Sequence, residues 1–177
     1  MTDPPNRDGF LQGLRQARRF QDRPVPADTI AALLAAGRGD STSDSTWSML
    51  VVDDMATRND LARIGAFTTT LSQAPVAIVI VAKTSVSTSK ANDESRVGDR
   101  IMLEAGRRGL VSAAGWFGTG EAKAQARDIL GLPQDQTAWG AVGVGYAETS
   151  PEGEESALDR ARRLLDTLSP DKPSPGS

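Results

Sequence analysis

The chain has 177 residues, 38% of them apolar, and a formal net charge of −3. That is the length of one domain with enough apolar content for a core, and the slightly acidic balance argues against nucleic acid as a partner. The chain holds neither histidine nor cysteine, which excludes Ser-His-Asp and Cys-His nucleophile systems, disulfides, and zinc sites built on those ligands.

Any acid–base work therefore falls to carboxylates, lysine, tyrosine, water or a cofactor. A redox cofactor that brings its own chemistry suits such a chain. No run approaches the ~20 apolar residues of a membrane span, and the polar opening MTDPPNRDG lacks the pattern of a signal peptide. A cytoplasmic location is expected on that ground.

In chain order, Asp8 is placed to cap a helix over 9–18, with Phe10, Leu11 and Leu14 on one face. Arg15, Arg18 and Arg19 gather at its end, and the DRPVP linker that follows is held extended by Pro24 and Pro26. Clustered guanidiniums suit an anionic ligand such as a phosphate, although on charge alone a solvated basic face is the favoured reading. Residues 27–36 (ADTIAALLAA) read as an apolar helix ending at Gly37.

A polar loop over 38–46 leads to a strand over 47–53, and Asp54 is placed to cap a helix through 64. Val76–Ala82 (VAIVIVA) is a β-branched run of the kind buried on both faces of a sheet. After a Ser/Thr/Lys-rich loop over 83–92, an amphipathic helix over 95–108 stops at Gly109. A strand over 111–116, a helix over 121–130 and a Gly-interrupted strand over 138–145 follow. Glu104, Arg107 and Arg108 read as a solvated helix face. Residues 154–168 make a charged amphipathic helix, and 169–177 (DKPSPGS at its end) read as a disordered tail to a single domain over 1–168.

Eight landmarks in this order resemble the nitroreductase-like flavoproteins: RRFQDRPVP (18–26), LLAAGR (33–38), Trp47 followed by MLVVDD (49–54), APVAIVIVA (74–82), RIMLEAGRRGL (100–110), GWFGTG (115–120), ARDILGLP (126–133) and AVGVGYAE (141–148). Singly they are weak; their order and spacing carry the resemblance. It implies an α+β (α/β three-layer) nitroreductase-like fold, with a central mixed sheet of about four or five strands flanked by helices. It also implies a homodimer that binds FMN and takes electrons from NAD(P)H by a ping-pong cycle to reduce nitroaromatic, quinone-like or similar electron-poor molecules.

The cofactor-binding residues that the resemblance points to are Arg15, Gln16, Arg18, Ser41, Ser43, Trp116, Phe117 and Gly118. Arg15 and Arg18 would bind the phosphate, Ser43 a flavin edge, and Trp116 with Phe117 a planar apolar wall. No protein nucleophile and no metal is implied. The chain also departs from the family pattern. Leu14 and Gln16 stand where an arginine and a serine are usual, Asp40 and Asp44 enter the second motif, and Phe67 and Thr70 replace a lysine or asparagine ahead of APV. A non-catalytic scaffold or ligand-binding homodimer that has lost or weakened flavin binding is the alternative these departures leave open.

Overall fold

A computed structural model describes residues 16–39, 47–83 and 91–148, with 91–94 as backbone only. In order these form α1 (Ala27–Arg38), β1 (Trp47–Val52), α2 (Met55–Ile64), a 3-10 helix (Thr68–Ser72), β2 (Val76–Lys83), α3 (Ala91–Arg107), β3 (Val111–Trp116), α4 (Gly120–Leu130) and β4 (Gln136–Gly145). The strands make one sheet in the order β1-β2-β4-β3.

The β-branched run of β2 lies at the centre, with Val79 opposite both Leu50 of β1 and Ala141 of β4. Its residues are buried from Val76 through Ala82. The strand pleat sends alternate side chains to opposite faces. Ala77, Val79 and Val81 meet Leu61 of α2 and Ala122 and Ala126 of α4 on one side. On the other, Val76 and Ile78 meet Leu33 of α1 and Ile101 and Ala105 of α3. Helices thus cover both faces, and the expected three layers are present.

All three strand pairings are antiparallel; the parallel element is an isolated bridge from Gln16 to Ser112 beside β3. That bridge corrects the end of the first helix expected over 9–18, whose residues 16–18 are not helical. Ala17 donates its N–H to the Ser112 carbonyl at 2.8 Å, and Phe20 bridges Ala147 with its ring buried against Ala74 and Ala113. Residues 16–20 therefore run extended along the sheet edge, where backbone pairing and burial of Phe20 outweigh the helical propensity of Gln and Arg. The rest of that expected helix, the helix over 154–168 and the tail over 169–177 lie outside the described residues.

Elsewhere local chemistry sets the boundaries. Asp54 accepts from the N–H and the hydroxyl of Thr57, both at 2.7 Å, capping α2. The Thr57 N–H, the largest influence, holds the Asp54 carboxyl below its ordinary pKa. Helix α1 runs through Gly37 to Arg38 and closes on Gly39. At the end of α3, Gly109 takes φ 74° while the Leu110 N–H returns to the Ala105 carbonyl at 2.9 Å, a closure that favours glycine. Thr68–Ser72 forms a 3-10 turn that no periodicity announced.

Glycine is required at Gly115 for a different reason. A Cβ there would stand 2.9 Å from the Thr68 Cα and 3.0 Å from the Phe67 carbonyl oxygen, so only a bare Cα lets the 67–68 backbone lie on β3. Gly115→Ala should cost about 1–3 kcal/mol by overpacking; an unchanged urea midpoint would refute this close approach.

On α3, Glu104 accepts from Arg107 through two bonds at 2.8 Å and from Arg108 at 2.7 Å. The Arg107 hydrogen bonds chiefly, then Arg108, pull its pKa from 4.5 to about 2. Because the folded pKa is the lower one, this stabilisation is present above pH 4.5 and disappears as pH falls towards 2. Glu104→Gln should flatten the acid limb of the Tm-versus-pH curve in that window, relative to the parent protein.

Candidate functional site

The site grows from the end of β3. Beyond Trp116 no strand flanks the sheet among the described residues, and two extended pieces of chain border it instead. One is residues 16–20. The other is Gly65–Phe67, where Ala66 and Trp116 exchange backbone hydrogen bonds at 2.8 and 2.9 Å.

This pairing forces the chain to reverse at Phe67, which adopts φ 61°, ψ 15°, the sole non-glycine residue at positive φ among those described. A bulky residue held left-handed is strained, and such strain concentrates at functional sites. Thr68 secures the turn from below: its buried hydroxyl accepts from Gly65 N–H and donates to the Ala62 carbonyl, both at 3.2 Å. As a result Phe67 is 74% exposed and Trp116 39% exposed. They meet edge to face at 6.1 Å and 87°.

Between this pair and residues 16–18 lies a cavity of about 690 Å³, floored by Thr69, Thr70 and Gln73 of the 3-10 turn and its end. The volume is within the range of cofactor and small-ligand sites, about 300–1,000 Å³. Its walls combine aromatic faces with amide, hydroxyl and guanidinium groups. Arg18 is the cation on this wall, exposed and without an ion-pair partner among the described residues. Arg19 points elsewhere, 4.0 Å from Glu148 in an exposed contact that adds little. The Thr70 Oγ1 is shut from solvent and has no hydrogen-bond partner among the described residues.

Gln16, Arg18 and Trp116 are thus brought together as the sequence indicates. Phe117 is not. Its ring is fully buried with Leu61, Leu71 and Ala126, and its N–H donates to the Trp139 carbonyl at 2.9 Å. Consecutive residues leaving a strand face opposite sides, so Trp116 outward means Phe117 inward. Gly118 is exposed between β3 and α4 and does not line the cavity. The turn at 118–120 is accounted for by capping, the Thr119 hydroxyl accepting from the Ala122 N–H at 3.1 Å. Arg15, Ser41, Ser43, Asp40 and Asp44 lie outside the described residues.

Phe67, Thr69, Thr70 and Gln73 are cavity residues that were not among the expected site residues. The run FTTTLSQ immediately before APV is the signal that could have found them. Among the described residues no group of acidic side chains is placed to hold a metal ion, and no helix is long and apolar enough to cross a membrane.

No protein-family model and no curated protein matches the chain. Solved structures do. An FMN-dependent nitroreductase from Clostridium difficile R20291 superposes with a TM-score of 0.71 at 24% identity, covering 85% of this chain and 93% of its own. An FMN and NADPH-dependent nitroreductase from a Sphigopyxis strain gives 0.66 at 17% identity over 86% and 96%. The NADPH:FMN oxidoreductase from Vibrio harveyi complexed with NAD+ gives 0.66 at 20% identity over 92% and 84%. Helices on both faces of an antiparallel sheet, with a cavity at the open end of β3, are how this chain builds the nitroreductase-like fold.

Proposed function

We propose that the protein is an FMN-dependent NAD(P)H oxidoreductase that reduces nitroaromatic, quinone-like or similar electron-poor small molecules by ping-pong hydride transfer. The observation that carries this reading is the cavity itself. It sets two exposed aromatic residues, Trp116 and Phe67, on one cavity with Gln16 and with Arg18, whose guanidinium has no ion-pair partner among the described residues. A planar ring bearing a phosphate matches that combination of surfaces. The nitroreductase and oxidoreductase names of the superposing structures support it.

When bound, FMN would supply hydride acceptance from the nicotinamide and donation to the substrate. The chain supplies the binding. Arg18 neutralises the phosphate by charge-assisted hydrogen bonds, joined in this proposal by Arg15, while Gln16, Ser41 and Ser43 serve the polar edges. Trp116 gives the ring an apolar wall and excludes water from one side. Phe117 supports Trp116 from the core. A chain without histidine or cysteine is suited to this division of labour. We extend the reading to a homodimer in the cytoplasm.

The alternative, a non-catalytic ligand-binding or scaffold homodimer that has lost or weakened flavin binding, is favoured by the uncharged Phe67 and Thr70 on the cavity wall. Reduction separates the two. With FMN bound, anaerobic NADPH or NADH should bleach the flavin band at about 450 nm, and a nitroaromatic or quinone should restore it. Bound flavin reduced no faster than free flavin would assign the scaffold role. Separately, Arg18→Ala should raise the Kd for FMN about 10–100-fold, the worth of a charge-assisted bond, while leaving riboflavin, which has no phosphate, unaffected. Equal losses for both flavins would remove Arg18 from the phosphate.

A further inference from the structure

Arg18 sits at a bend of exposed chain between two anchors of unequal strength. Upstream, Ala17 donates one backbone hydrogen bond to Ser112. Downstream, the residues just beyond β4 hold the same segment at several points. Phe20 bridges Ala147, the Gln21 N–H donates to the Tyr146 carbonyl at 2.9 Å, and the Gln21 Nε2 donates to the Ala147 carbonyl at 2.7 Å. The Arg23 guanidinium then lies 3.8 Å above the Tyr146 ring. Tyr146 in turn packs on the core cluster of Val25, Leu33 and Leu110. Neither Arg23 nor Tyr146 lines the cavity, so their stack acts on it only through the chain between them and Arg18.

We propose that the stack of Arg23 on Tyr146 is a positioning device for Arg18, an assignment that rests on the flavin reading above. A long side chain on a bend must be ordered when it captures a phosphate, and that ordering subtracts from affinity. Backbone states excluded beforehand reduce the cost. The stack fixes residues 20–23 to the end of β4, and through them restricts the bend at Arg18 from its downstream side. Tyr146 and Arg23 are thereby positioning residues: they serve the phosphate through Arg18 and touch no ligand. The contact of Arg19 with Glu148, exposed and at 4.0 Å, adds little to this.

The test uses the full chain and two probes, FMN and riboflavin, by quenching of flavin fluorescence. Arg23→Gln and Tyr146→Leu each remove the stack, and the exposed Arg23→Gln keeps the test open should Tyr146→Leu not fold. Each should raise the Kd for FMN about two- to fivefold, the scale of an exposed cation–π contact, and leave that for riboflavin unchanged. Tyr146→Phe keeps an aromatic face under Arg23 and should retain wild-type affinity for both. In an Arg18→Ala background neither Arg23→Gln nor Tyr146→Leu should weaken FMN further, the signature of residues that act through one another. Equal losses for FMN and riboflavin overturn the assignment, because the stack would then serve the fold alone. Additive loss on Arg18→Ala also overturns it, by making Arg23 a phosphate contact in its own right. Wild-type FMN affinity in Arg23→Gln overturns it and leaves the flavin reading intact. Failure of the wild-type protein to bind either flavin overturns both.

Discussion

The reciprocal backbone pairing of Ala66 with Trp116, at 2.8 and 2.9 Å, is the constraint on which the geometry of the site depends. It holds the chain leaving α2 against the last residue of β3, and it does so across Gly115, where no side chain intervenes. With both ends fixed, the reversal at Phe67 has no relaxed alternative. The exposed ring, the 3-10 turn after it and the floor of the cavity follow in sequence. A single bridge, sealed beneath by the Thr68 hydroxyl, thus converts a sheet edge into a wall.

Why the wall faces a cavity rather than solvent depends on the opposite border. The segment 16–20 is anchored at both ends, by Ala17 to Ser112 and by Phe20 to Ala147. Between the anchors the side chain of Arg18 projects from extended backbone, and Arg19 is drawn off towards Glu148. Tyr146 adds to the same border by receiving the Arg23 guanidinium 3.8 Å above its ring and the Gln21 N–H on its carbonyl. The cavity is consequently framed by backbone hydrogen bonds on both sides. Its polar groups are placed by rigid elements, which suits a site that must hold a ring in one orientation.

Much of this was legible in the residues. The double-sided burial of β2 was written in VAIVIVA, and the caps at Asp54 and Gly109 in their side chains or lack of one. Gln16, Arg18 and Trp116 were named for a shared ligand, and they share a cavity. The rest was hidden for physical reasons. Gln16-Ala-Arg18 reads as the end of a helix because local propensity knows nothing of the β3 edge waiting to pair with it. Phe117 looked like a second face of the aromatic wall, although the alternation of a strand permits one of two neighbours to point outward. Thr70 differs again: hydroxyls in a TTT run are indistinguishable until the fold buries one without a partner.

The order β1-β2-β4-β3 has an implication for how the chain comes to be folded. The last strand among the described residues, β4, sits between two that precede it, making eight aligned positions with β2 and six with β3. During synthesis, residues 76–83 and 111–116 emerge with a vacant slot between them that is filled only when 136–145 leave the ribosome. Until then the Val- and Ile-rich strand destined for the centre has one unpaired side, a template for wrong partners. Sheet closure is therefore a late, non-local event, of the kind that slows folding.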